Sequence, residues 1–304
     1  MALNPVKSPP PPRNPGPEWG YLLLSRLDAI LPVPVCNFCL GVGCAVAVAA
    51  MPAPRRCSRA YLGVVLGRPA RLIEVWRHFY AFAESLLLKL RVAEGGAYRC
   101  VEGPGCAEFI ALAESGQAAL FGTFHLGHSD LLGFMLARFN HRVCMIRLRV
   151  ENSHDTVRLA RRFGDSVTYL WINDTKNLLF SLKEALDSGA SIAMKCDRPE
   201  YSAKLEAFEF LGQKRLFPFT IYHLSLIFRR PVVFCFSVPH GRDASLVHSS
   251  PVFTPTEGSP AANLTRARSH FQDFLRCVES RLRQDPFQWA NFIPLNPAAP
   301  GGSG

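Results

Sequence analysis

The chain has 304 residues, enough for one large domain or two small ones with a sizeable core. Hydrophobic residues make up 48% and charged residues 19%, which excludes an intrinsically disordered chain and implies apolar surface that something covers. The formal net charge of +10 admits nucleic acid, anionic lipid or an acidic carrier as partner, and composition does not choose among them.

Residues 1–17, MALNPVKSPPPPRNPGP, are proline-rich without periodicity and read as a disordered or extended tail. From Ala29 to Pro54 no residue is charged, a run that reaches the roughly 20 residues needed to cross a bilayer. Pro32 and Pro34 break it near its start, so the uninterrupted part is 35–51. Arg55, Arg56 and Arg59 follow at once, a distribution that keeps the rest of the chain cytoplasmic. A single anchor or a monotopic insertion is expected, with a buried core helix as the alternative. Residues 71–90 place Leu72, Val75, Trp76, Phe79, Phe82, Leu86 and Leu90 at helical spacing. His78 lies among these aromatics and is given no role. Residues 18–95 thus form a membrane-associated helical region.

After Gly95-Gly96 the pattern changes. Strands are predicted at 98–101, 118–124, 142–150, 167–171, 191–195 and 232–238. Helices are predicted at 105–115, 131–139, 153–163, 175–188, 219–228 and 261–283. Strands alternating with helices argue for an α/β domain over 96–295, a mainly parallel central sheet flanked by helices, followed by a loose tail at 296–304. The ten cysteines are scattered, and the polar, proline-rich start lacks the pattern of a cleavable secretory signal, so buried thiols in a reduced compartment are expected. Cys36 and Cys39 form a C-x-x-C with no second pair at zinc-finger spacing.

Chemistry concentrates in 121–134, FGTFHLGHSDLLGF. The predicted strand ends at Phe124 and leaves His125 at its carboxyl edge, where open α/β sheets place their sites. Asp130 follows in the first turn of the next helix, and a turn at Gly127 would bring its carboxylate back onto the imidazole. A carboxylate on one ring nitrogen fixes the tautomer and leaves the other to take a proton, which suits a general base acting on a substrate hydroxyl.

The FHLGHSD segment resembles the H-x-x-x-x-D/E block of the lysophospholipid acyltransferase superfamily, in the branch of the bacterial lipid A late acyltransferases. Residues 192–226 are similar to that branch's strand, Asp and F-L-G segment, and DPFQWANFIP at 285–294 to its C-terminal P-x-Q-W signature. With Pro17-Glu18-Trp19-Gly20, the resemblance spans about residues 17–295. It implies a glycerol-phosphate-acyltransferase-like fold and transfer of a fatty acyl group to a lipid or glycolipid hydroxyl or amine at the cytoplasmic face of the inner membrane. The donor would be an acyl thioester of acyl carrier protein or coenzyme A, with no cofactor. His125 would be the base and Asp130 its partner. Arg147 and Arg149 would fall in a phosphate-binding basic block, and Lys195, Asp197 and Arg198 in a second acidic block. Many members carry Asn where this chain has His128, and the most typical lipid A enzymes carry Glu in place of Asp130, which leaves the acceptor more open than the reaction.

Two rival readings remain. His125, His128 and Asp130 form an H-x-x-H-x-D that would suit a zinc-dependent hydrolase, although no second histidine cluster follows. A basic membrane-surface or nucleic-acid-binding protein without catalysis fits the charge, but the basic residues are dispersed and no nucleic-acid recognition motif is present. Phosphate-binding glycine loops and a G-x-S-x-G nucleophile elbow are absent as well. Nucleic acid is therefore not expected as a partner.

Overall fold

The computed structural model describes residues 18–148, 166–172, 177–199, 202 and 204–299. The tail at 1–17, the helix expected at 153–163 and Arg149 lie outside the described residues.

Four helices come first: α1 (Glu18–Ile30), α2 (Val33–Ala50), α3 (Pro52–Leu66) and α4 (Leu72–Ala93). Pro32 interrupts the apolar run as the N-cap of α2, whereas Pro34 sits inside the first turn, where a missing N–H is tolerated, so α2 begins two residues before the expected start. α4 opens on a capping arrangement in which the Arg71 backbone N–H donates to Glu74 at 2.7 Å. Its buried face, which includes Val75, Phe79, Leu87 and Leu90, packs against α1, α2 and α3.

The α/β part then runs β1 (Arg99–Glu102), α5 (Cys106–Glu114), β2 (Leu120–Gly127), a 3-10 turn (Ser129–Leu131), α6 (Gly133–Ala137), β3 (Val143–Arg147), β4 (Val167–Trp171), α7 (Leu178–Asp187), β5 (Ser191–Lys195), β6 (Leu205–Phe210), β7 (Gln213–Pro218), α8 (Thr220–Phe228), β8 (Val232–Pro239), β9 (Ala244–Ser249) and α9 (Pro260–Gln284). Seven strands form one sheet in the order β1-β9-β8-β2-β5-β3-β4, and every pairing in it is parallel except β8 with β9. The expected mainly parallel sheet flanked by helices is therefore present. β8 is buried along nearly its whole length and β2 over its first half, as central strands covered on both sides are, while Thr123 and His125 mark the end of β2 that opens to solvent. Above β2 and β8 the α9 aromatics close the core, with the Phe274 ring edge-on to Phe124 at 5.3 Å and tilted against Phe234 at 4.7 Å.

Several expectations shift. β2 runs to Gly127, three residues past the predicted end, so His125 lies inside the strand. The helix expected at 131–139 is a 3-10 turn followed by the short α6. The β6–β7 hairpin and β9 are strands that the periodicity did not mark. Residues 296–299, expected in a loose tail, run beside β7: the Leu216 N–H donates to Pro297 O at 3.0 Å and buried Asn296 donates to Leu216 O at 2.9 Å.

Candidate active site

The parallel strands β2, β3, β4 and β5 end on one side of the sheet, and a pocket of about 620 Å³ opens there. α4, the starts of α7 and α8, and the segment after α9 complete its wall. Most of the lining is apolar, Phe82, Leu86, Ile146, Leu182, Ile221 and Phe292 among it, and the polar groups gather at the strand ends.

His125 is set by sheet register. β2 and β5 pair through Thr123 opposite Lys195, and the Cys196 N–H donates to Thr123 O at 2.8 Å, so two residues further on Asp197 stands beside His125. The Asp197 carboxylate is 1% exposed and accepts three hydrogen bonds: from the His125 backbone N–H at 2.9 Å, from His125 Nδ1 at 2.8 Å and from the Trp289 indole at 2.8 Å. Burial alone would raise its pKa, but the His125 ring, Arg198 and Trp289 outweigh burial and hold the carboxyl well below the usual carboxylate range. Burial pushes the His125 imidazole down to about 4, with Lys195 and Arg198 adding to the effect and Asp197 opposing it. The ring is therefore neutral at pH 7, donates from Nδ1 and presents the Nε2 lone pair. A segment from the C-terminal end locks the arrangement: Leu126 bridges Trp289, Gly127 donates to Gln288 O at 2.7 Å and Ala290 donates to His125 O at 2.8 Å. Gly127 lies at φ +54, and a Cβ there would meet the Ser237 carbonyl oxygen, so this strand end requires glycine.

The pairing expected between His125 and Asp130 is replaced by this one. Asp130 sits in the 3-10 turn and accepts from Lys89 at 2.8 Å and Arg147 at 3.0 Å, with Lys195 at 3.0 Å from the same carboxylate. Lys195 also donates to Ser129 Oγ at 2.8 Å. Burial would raise the Asp130 pKa, but the three cations drive it well below the ordinary value. Three cations and one carboxylate give these four groups a net charge of +2 at the pocket wall. Such a wall suits an anionic group, and it brings Arg147, expected in a basic block, together with Lys195, expected beside Asp197 in an acidic one.

No protein-family model matches this chain, and no curated protein does either.

Of the other expected site residues, Arg198 lines the pocket and donates to Ala290 O at 3.2 Å, tying the β5 end to the C-terminal segment. Arg149 lies outside the described residues. The zinc-ligand set does not converge: His125 is held by Asp197, His128 Nδ1 is 2.6 Å from Ser245 Oγ, and Asp130 is ringed by cations. Among the described residues no group of three His, Cys, Asp or Glu is placed to hold a metal.

Sequence reasoning missed Lys89, whose signal was a lone charge inside the apolar run LLLKL on the buried side of α4. It also left His78 without a role. That ring is fully buried, accepts from Ser58 Oγ at 2.8 Å and donates from Nε2 to the Trp289 carbonyl at 2.7 Å. Burial holds it near 4, so it stays neutral.

Proposed function

We propose that this protein is an acyltransferase of the lysophospholipid acyltransferase kind, moving a fatty acyl group from an acyl thioester to a hydroxyl or amine of a lipid or glycolipid acceptor. The observation that carries the proposal is the His125–Asp197 pair, a neutral imidazole with Nδ1 bound to a buried carboxylate, at the polar end of a large apolar pocket. The apolar lining suits an acyl chain. The cationic wall suits the phosphate of a coenzyme A or carrier-protein donor, or of the acceptor. On this proposal the domain is glycerol-phosphate-acyltransferase-like and works at the cytoplasmic face of the inner membrane.

The step is an addition followed by elimination. The acceptor oxygen attacks the thioester carbonyl carbon while its proton passes to His125 Nε2. The C–O bond forms, the carbonyl electrons move onto the oxyanion, and Asp197 stabilises the imidazolium. Collapse of the intermediate breaks the C–S bond, and the imidazolium returns its proton to the departing sulfur. The products are an ester and a free thiol, with no covalent acyl-enzyme. Asp130 serves as a fixed counter-charge that keeps Lys89, Arg147 and Lys195 together.

The test is lipid mass spectrometry of cells with and without the gene, joined to transfer assays on isolated membranes with acyl-coenzyme A or acyl carrier protein. A new acylated lipid that disappears with His125→Ala, while expression stays normal, is the expected result. Undiminished transfer by that variant overturns the mechanism.

A further inference from the structure

The helices α1 and α2 carry an apolar surface that the rest of the fold leaves open. Among the described residues, eight of the fifteen exposed large apolar side chains lie between Leu22 and Val46. On α2 only one line of residues is buried, Cys36, Leu40, Cys44 and Val48, spaced four apart. The outward side presents Val35, Phe38, Val42 and Val46, of which Phe38 is 72% and Val46 62% exposed. No residue of α2 is charged, whereas the outward face of a helix in water is normally polar. A core helix would be covered, and this one is not.

Both ends of α2 are tied to one body. In its first turn Cys36 Sγ lies 3.7 Å from Asp28 Oδ1, and Asp28 is held by Arg91 of α4 at 2.8 Å. Arg91 in turn donates to Asp243, in the turn between β8 and β9, at 2.7 Å. Midway, Trp76 of α4 donates to Gly41 O at 2.9 Å, and its ring lies so close that a Cβ on Gly41 would be 3.3 Å away. Beyond the last turn Arg55 donates to Val48 O at 3.0 Å, and Tyr61 of α3 donates to Pro286 O at 2.8 Å. A helix of 18 residues is about 27 Å long, close to the roughly 30 Å hydrocarbon thickness, so crossing would carry one of these tethered ends to the far side. The ion pair Arg91–Asp243 would have to follow it, and charged groups are expelled from hydrocarbon.

We infer that α2 lies in the plane of an anionic lipid surface, its outward face sunk to the headgroup boundary, rather than crossing the bilayer. Charge complementarity selects the anionic surface: the helices that precede and follow α2 in the chain, both packed against it, carry exposed Arg26 on α1 and exposed Arg56 and Arg59 on α3, and α2 itself carries no charge. α4 touches α2 through Trp76 and lines the pocket through Phe82 and Lys89, so docking sets the pocket beside the lipid.

Two measurements test this, and neither depends on acyl transfer. Full-length protein is floated with vesicles of mixed phosphatidylglycerol and phosphatidylcholine and with phosphatidylcholine alone. Flotation with the anionic mixture is expected, with the double variant Phe38→Asp/Val42→Asp partitioning on the order of 100-fold less. Failure to float, indifference to phosphatidylglycerol, or wild-type flotation by the double variant overturns the inference. An epitope at each end of the chain is then probed with protease in intact spheroplasts and in inverted vesicles. Both epitopes should be cut from the same side, and cleavage from opposite sides overturns the in-plane placement. His125→Ala should float like wild type, so loss of transfer with retained flotation speaks to the chemistry alone.

Discussion

Asp197→Asn isolates the pair on which the proposed transfer turns. The native carboxylate accepts three hydrogen bonds, two of them from His125. An amide of the same shape has one oxygen to accept with and an NH2 that donates, so one of the three donors must face another donor. The ring relieves the conflict by moving its proton from Nδ1 to Nε2, which buries the lone pair against the amide and turns an N–H toward the substrate. The base is then absent although its geometry is kept. A wrong-tautomer triad histidine loses about 10,000-fold in kcat, close to 5.5 kcal/mol of barrier, and the same order is expected here. Initial rates of purified wild type and variant at saturating thioester give the number, and thermal melts confirm that both are folded. Asp130→Asn should instead raise KM for the anionic substrate with kcat within about tenfold, because the residue positions cations and does not touch the base. Asp197→Asn within tenfold of wild type, with Asp130→Asn abolishing kcat, would refute the assignment of Asp197 as the partner of His125.

Asp130→Ala leaves Lys89, Arg147 and Lys195 around a lost counter-charge and should cost roughly 3 kcal/mol in urea unfolding; an unchanged midpoint contradicts it. Gly127→Ala combines a positive φ with a Cβ against Ser237 O and should cost about 3 kcal/mol, with transfer activity falling alongside because His125 is two residues away. The third concerns acid. His78 binds its proton near pH 4 in the folded chain against 6.5 when unfolded, so below 6.5 the unfolded state takes up more protons. Its contribution to stability is intact above pH 6.5 and is lost as the pH falls toward 4, by roughly 3 kcal/mol in all. Thermal melts from pH 7 to pH 4 should show this loss together with that of His125, whose imidazole burial depresses likewise. His78→Gln should make the pH dependence shallower by about its own share; an equally steep loss in that variant is the contrary result.

The fold was legible where one physical signal acted alone. The strands at 167–171 and 191–195 coincide with β4 and β5 because short apolar runs between helical periods leave one choice. The β6–β7 hairpin was hidden because its turn is Leu211-Gly212, with Leu211 itself at φ 52, where an Asn or Gly is the usual mark. The position of His125 near the carboxyl end of a strand was readable to within three residues of that end, and Asp197 was singled out only by the resemblance, in another role. Their pairing was not readable. Asp130 is five residues away in the chain and Asp197 is 72, yet sheet order places β5 beside β2, and register is a property of paired strands that one segment does not encode. Trp289 was likewise visible in the P-x-Q-W motif, but its hold on the carboxylate needs the tertiary path of the C-terminal segment.

That segment has a consequence for synthesis. Ser58, His78, Trp289, Asp197 and His125 are joined in one hydrogen-bonded line, and Trp289 is its middle link. Every strand of the sheet is translated before it. A nascent chain can therefore pair β2 with β5, and so His125 with Asp197, before the stretch that carries Trp289 emerges and completes the line. Premature termination just beyond α9 would take Trp289 away from the Tyr61 and Phe210 rings it packs against and leave the Asp197 carboxylate without its indole donor.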